Sequence, residues 1–200
     1  MLTLPWMFAY PLGEDAALVL RTPALAEEFH ALLVANEERL RRWDPGACPD
    51  PLTVANVRAR LESNAAAWVA GSQIPVAIAV CADDRWRLVG GASLRVDAGA
   101  RSGEVGYWID AGHEGRGLVG RTVAALLEQA FGALGLLRVS LGTYASNQRG
   151  RALAERLGFV REGVLREANQ TPVGREDEVV YGLLAHEWNP QRSPQRSPRC

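Results

Sequence analysis

Residues 113–120 read His113-Glu114-Gly115-Arg116-Gly117-Leu118-Val119-Gly120, and Gly115, Gly117 and Gly120 within them spell G-x-G-x-x-G. Glycines let backbone amides approach an anion closely, and the apolar run from Leu118 predicts a helix whose positive end faces the same spot. The octet therefore predicts a pyrophosphate cradle, with a plain strand-to-helix turn as the bland alternative. A dinucleotide-binding fold would place such glycines directly after a strand, near the start of repeated βαβ units, with an acidic residue about 20 positions on for the ribose. Here the loop lies past the middle of the chain, four residues separate Asp110 from Gly115, one crossover follows, and the next strand, LRVSLGTY, ends without an acid. The glycine spacing matches and little else does.

Upstream of the octet, PVAIAVCA, WRLVGGASLRVD and GEVGYWID are strand-like runs joined by turns too short for crossovers, so they predict an antiparallel meander. AALVLR predicts an earlier strand. Thr22-Pro23 offers an N-cap with proline at the first helical position, which predicts a helix to about Arg42, and Thr53 caps a second with Val54, Val57, Leu61 and Trp68 on one face. Downstream, a helix from Leu118 to about Leu134 leads to LRVSLGTY, then a helix from Asn147 to Leu157, then the closing strands FVREGVLRE and EVVYGLLAHEW. The predicted architecture is a mixed, mostly antiparallel α/β sheet flanked by helices, with one βαβ crossover at the glycine loop.

At 200 residues and 48% hydrophobic the chain can bury one substantial core, placed in a single domain over residues 1–188. Its 22 basic residues are all Arg, which fits a GC-rich coding bias, and against 23 acidic residues they leave a net charge of −1. Without a long basic run or arginine–aromatic alternation, nucleic acid is disfavoured as a partner. Cys48, Cys81 and Cys200 are odd in number and far apart, matching neither a disulfide framework nor a metal site, and point to a reducing cytoplasm. The first 20 residues lack a positive n-region and are interrupted by Pro5, Pro11 and acids, so neither a signal peptide nor a membrane span is expected. Residues 189–200, with a repeated Gln-Arg-Ser-Pro, predict a disordered tail.

The stretch from Gly106 to Glu167 resembles the GNAT superfamily of acyl-CoA N-acyltransferases, and within it the RimJ/RimL group of ribosomal-protein N-terminal acetyltransferases. The resemblance spans about Ala16 to Trp188 and is carried by Gly106-Tyr107-Trp108, Glu114–Gly120, Asn147 opening a helix, Leu157-Gly158-Phe159, Glu162-Gly163, and Asp177 four residues before Tyr181. It implies acetyl-CoA as acyl donor, with the coenzyme pyrophosphate on the amides of Glu114, Gly115, Arg116, Gly117, Leu118, Val119 and Gly120. It also implies pantetheine paired along Trp108 and Ile109, and Asn147 on the coenzyme arm. The acceptor it implies is a primary amine, a ribosomal or other protein N-terminus foremost, and it leaves a homodimer open. Glu114 departs from the Gln or Arg usual there, and Val119 from a small residue.

Acyl transfer needs a neutral amine, a proton acceptor, a donor at the carbonyl oxygen and an acid for the leaving thiolate. Glu104, on the strand leading into Gly106-Tyr107-Trp108, is the candidate base, with a solvated strand carboxylate as its bland reading. In RimL-like chains a Ser three residues after the Asn has been proposed as the acid, but Gly150 stands here; the group's downstream Glu is replaced by Asn169. Tyr144, Ser146 or bound water are the stand-ins. His30, His113 and His186 assemble into nothing, and Trp43 and Trp68 are candidates to flank an acceptor cleft. Two rivals stay open on sequence: a coenzyme A-binding regulatory module without catalysis, and a GNAT enzyme acting on a small-molecule amine.

Overall fold

The computed structural model describes residues 9–43, 45–171 and 174–190. In chain order, β1 (Ala9–Pro11) and β2 (Ala16–Leu20) precede three helices, α1 (Ala26–Ala35), α2 (Glu37–Trp43) and α3 (Val54–Val69). The predicted meander follows as β3 (Gln73–Ala82), β4 (Arg85–Asp97) and β5 (Ser102–Ile109). Then come α4 (Leu118–Glu128), β6 (Arg138–Tyr144), α5 (Gln148–Arg156), β7 (Val160–Thr171) and β8 (Gly174–Leu184). These eight strands make one sheet in the order β1-β2-β3-β4-β5-β6-β8-β7. Every neighbouring pair is antiparallel except β5 and β6, which the α4 crossover joins in parallel. That topology removes the dinucleotide fold.

Because alternate strand residues point to opposite faces, the sheet builds two cores. On one side Val105, Val139, Leu141, Val179, Tyr181 and Leu183 pack with Val123 and Leu127 of α4 and Leu153 of α5. On the other, Val19, Ala77, Ala79 and Trp108 meet Phe29 and Leu33 of α1 and Val57 and Leu61 of α3. Each fully buried Leu or Val contributes roughly 1.5–3 kcal/mol. Trp68, expected beside Val57 and Leu61, is instead 44% exposed, because α3 outruns the sheet edge it packs on. No helix among the described residues is long and apolar enough to cross a membrane.

The helix expected from Thr22 to Arg42 is broken. Pro23–Leu25 is a 3-10 turn, the Thr22 hydroxyl makes no capping bond, and α1 and α2 are separated at Asn36, which has φ −119° and ψ 8°. The physical reason is the Asn36 side chain. Its Nδ2 donates back to the Leu32 carbonyl at 3.0 Å and to Asp110 Oδ1 at 2.9 Å, while its Oδ1 accepts from the Ala111 amide at 3.3 Å and from Arg39 at 2.9 Å. An asparagine that bonds its own i−4 carbonyl competes with the helical ladder and bends it. Asn36 is only 4% exposed, so this bend is tied directly to the segment after β5.

Two further boundaries differ. β8 begins at Gly174, earlier than expected, and Ala185–Trp188 leaves the sheet because Glu187 accepts from the Leu184 amide at 3.0 Å and closes a turn. The expected tail falls mostly on residues 191–200, outside the described residues. Replacing Asn36 with Ala should lower the unfolding free energy by about 1–3 kcal/mol, since it removes a buried amide group together with its bonds to Asp110, Arg39 and the Ala111 amide. Urea denaturation checks it, and a change under about 0.5 kcal/mol would show that the bend needs no asparagine.

Candidate functional site

At the end of β5 the chain enters a 3-10 turn, Ala111–His113, that is capped by Asp110: its Oδ2 accepts from the Gly112 amide at 3.1 Å and from His113 Nδ1 at 2.8 Å. Burial pushes the Asp110 carboxyl up, but the bonds from His113, Asn36 and the Gly112 amide together outweigh it and hold the group below its ordinary value of 3.8. Beyond this cap, Gly115 and Gly117 both have φ +72°, and Gly117 is the left-handed N-cap of α4. A left-handed conformation costs a side-chain-bearing residue energy, so glycine is what this loop demands. A Cβ added at either glycine would meet nothing within 4 Å, so the space over the loop is open.

Leu118 is 2% exposed and Val119 packs against the α4-side core, so their side chains point inward. The first-turn amides of α4 have no helical partner and face the open space with the positive end of the dipole. Glu114 does not oppose an anion there. Its Oε1 accepts from Arg39 Nη1 at 2.9 Å and its Oε2 pairs with Arg149, so two guanidinium groups flank one carboxylate. With Arg116 the rim of the loop is net positive.

The loop opens into a cleft of about 1590 Å³. Its floor is a split in the sheet. β5 and β6 pair only from Ser102↔Arg138 to Glu104↔Ser140, and beyond that the two strands part. β4 still holds β5 out to Ile109, and β8 holds β6 out to Tyr144. Two residues past the last shared pair, on the α1–α3 face, each wall carries a glycine, Gly106 on β5 and Gly142 on β6, so no side chain fills the gap from either strand.

The residues singled out from the sequence gather around this gap. Trp108 is buried edge-on against Phe29 at 5.8 Å, so its ring belongs to the core, while the backbone of its neighbour Ile109 faces the split, where its carbonyl accepts from Arg39. Asn147 caps α5: its Oδ1 accepts from the Gly150 amide at 3.0 Å and its Nδ2 donates to Thr143 at 3.1 Å. A Cβ on Gly150 would lie 2.7 Å from Asn147 Nδ2 and 2.9 Å from Thr143 Oγ1, so this cap and a serine at position 150 are incompatible without rearrangement. Tyr144 packs edge-on against Trp43 at 5.8 Å, and both line the cleft, whereas Trp68 does not. The backbone amide of Ser146 donates to Glu176 at 2.8 Å. Glu104 also lines the cleft, and its Oε1 pairs across the strands with Arg95 at 2.5 Å.

Residues 17–160 match the acetyltransferase (GNAT) domain family. The chain belongs to the GNAT acetyltransferase family. It is 29% identical to a Bacillus subtilis (strain 168) protein named "Putative ribosomal N-acetyltransferase YdaF", over 93% of this chain and all of that one. It is also 29% identical to a protein solved under the description "Probable acetyltransferase", with a TM-score of 0.83 over 91% of this chain and 99% of that one. RimL, the ribosomal L7/L12 alpha-N-protein acetyltransferase solved with coenzyme A, shares the fold, with a TM-score of 0.81 at 19% identity over 88% of this chain and 98% of that one. The GNAT enzyme described here is thus an N-acetyltransferase that uses acetyl-CoA.

Two cleft residues, Arg39 and Glu178, and Asn36 beside them escaped sequence reasoning. Asn36 and Arg39 lie in a stretch whose pattern suggests one unbroken helix, and Glu178 sits in the acidic run Glu176-Asp177-Glu178, where the sequence gives no sign of which carboxylate turns inward. The Asp110 cap has a pH signature. A carboxyl held below its unfolded value contributes stability that is present above about pH 4 and lost as pH falls through the folded value. Asp110→Asn should therefore unfold more easily than the parent at pH 6–7, and the gap should close towards pH 3. Urea titrations across that range test it; a gap independent of pH would mean the charge of Asp110 is not what stabilises the turn.

Proposed function

We propose that this acetyltransferase acetylates a primary amine, foremost the N-terminal α-amine of a protein, a ribosomal protein being the first candidate. The observation that carries the reading is the split between β5 and β6, open on the α1–α3 face and continuous with the glycine loop. Its support from relatives is that YdaF is named as a ribosomal N-acetyltransferase and RimL as an alpha-N-protein acetyltransferase.

In this reading the amides of Gly115 to Gly120 take the pyrophosphate of acetyl-CoA, with Arg116 adding charge and Glu114 acting through Arg39 and Arg149 to shape the rim. The stretch of β5 around Trp108 and Ile109, beyond its pairing with β6, receives pantetheine as an added strand. Asn147, with both its amide groups already bonded, contributes mainly by fixing the start of α5. The acetyl thioester then lies at the mouth of the split, where Glu104 and Glu178 are the carboxylates able to take an amine proton. Tyr144 and Ser146 are the hydroxyls able to return one to the thiolate, and Tyr144 is the better held, by Trp43.

A carboxylate base suits an α-amine, whose pKa near 8 leaves roughly a tenth of it neutral at pH 7, far better than a Lys side chain near 10.4, of which under a thousandth is neutral. Two matched peptides decide between them, one with a free N-terminus and no Lys, the other N-terminally blocked with a single Lys. The first should react faster at pH 7, and its lead should shrink as pH rises; equal or better use of the Lys peptide at pH 7 would redirect the site to side-chain or small amines. Separately, Gly117→Asp should weaken coenzyme A binding at least tenfold in calorimetry, because it brings strain and a negative charge to the loop, and unaltered affinity in the folded variant would remove the loop from the site.

A further inference from the structure

Among the described residues three carboxylates line the cleft, Glu104, Glu114 and Glu178. Two are committed. Glu114 is held by Arg39 and Arg149, and Glu104 by Arg95. Glu178 is half-buried, and its carboxylate makes no hydrogen bond or ion pair with any described residue. It stands on β8 opposite Tyr144 of β6, on the face that carries Gly106 and Gly142. Side chains directly opposite in an antiparallel pair are neighbours, so its carboxyl belongs beside the Tyr144 ring.

Where that carboxyl lies is set by Gly142. A Cβ at position 142 would overlap Glu178 Oε1 and come within 3.1 Å of Cδ. The carboxylate of Glu178 thus occupies the space a side chain at 142 would take, directly on the wall of the split and two residues past the last β5–β6 pair. Among the neighbouring charges Arg95 pairs with Glu104 from β4 and β5, and Arg138 with Glu162 from β6 and β7, while Arg42 of α2 lies over Trp43 and Glu176, two residues before Glu178, accepts from the Ser146 amide; Arg60, Arg116 and Arg156 also line the cleft. A half-buried, unmatched carboxylate at the mouth of the split is an acceptor for a cation's proton.

We propose that Glu178 is a catalytic residue, the group that takes the proton from the acceptor ammonium. This rests on the reading that the thioester of acetyl-CoA reaches the split. One proton passes from the ammonium to a Glu178 oxygen, and the freed lone pair forms the new C–N bond at the thioester carbonyl carbon. The C–S bond breaks, and its electron pair leaves on the coenzyme sulfur, which is protonated from Tyr144 or water. The amide nitrogen loses its second proton to solvent, and Glu178 returns its own there. Glu104 keeps Arg95.

The test uses the full chain, coenzyme A binding by calorimetry, and acetyl transfer to the free-N-terminus peptide from pH 6.5 to 9.5. Glu178→Gln removes the acceptor. Gly142→Ala leaves its charge but displaces it, at little cost to the fold because only the end of a flexible side chain must move. Both should lower kcat at pH 7 by roughly 10²-fold, in the range of general-base contributions, with coenzyme A affinity within twofold of the parent. Both losses should shrink towards pH 9.5, where the amine is already neutral. An unchanged rate in Glu178→Gln, a loss equal at every pH, or a larger loss in Glu104→Gln would overturn the role of Glu178 alone. Failure of the unaltered chain to bind coenzyme A would overturn both this proposal and the reading beneath it.

Discussion

Three residue pairs join β5 to β6 in parallel, and the whole site depends on their stopping at Glu104↔Ser140. Had the pairing continued, the backbone groups of Val105–Ile109 and Leu141–Tyr144 would have satisfied one another and closed the sheet. A buried strand edge without partners is costly, so a split of this kind survives only where something else meets those groups. Each wall is held rigid from behind, β5 by β4 and β6 by β8, so the opening is a fixed feature of the sheet and not a frayed end. The crossover α4 departs from one wall and returns to the other, which brings the glycine loop to the same end of the split.

The arginine-only composition shapes the rim of that opening. A carboxylate at position 114 would repel a phosphate if it stood alone, but a planar guanidinium binds one carboxylate oxygen and still presents further N–H groups. Arg39 shows this: it reaches Glu114, Asn36 and the Ile109 carbonyl at once. Exposed ion pairs add little stability, so the value of Glu114 lies in where it places the arginines.

The fold was legible in the sequence because its signals are local: strand-length apolar runs, short turns, glycines at a helix start, and Asn147 three residues before the amide it caps. The shape of the glycine loop was legible for the same reason, since its left-handed glycines and the helix start behind them are local features. What the sequence hid depends on tertiary partners. Asn36 breaks a helix only because Asp110, 74 positions away, is there to receive it. Trp68 sits in register with Val57 and Leu61 but extends past the sheet that buries them. Glu104 is a strand carboxylate whose commitment to Arg95 emerges only when β4 and β5 pair. Gly150 reads in the sequence as a missing hydroxyl, and in space as the room Asn147 needs to cap α5.

The Asn36–Asp110 bond joins the bend between α1 and α2 to the turn that begins the glycine loop. Trp43, at the end of α2, lines the same cleft against Tyr144. A ligand seated on the loop would therefore bear on the bend as well, and through it on Trp43. By thermodynamic reciprocity, whatever settles against Trp43 must restrain the loop by the same free energy. On the proposed reading the two ligands so linked would be donor and acceptor, and the link between them would run through one side-chain amide.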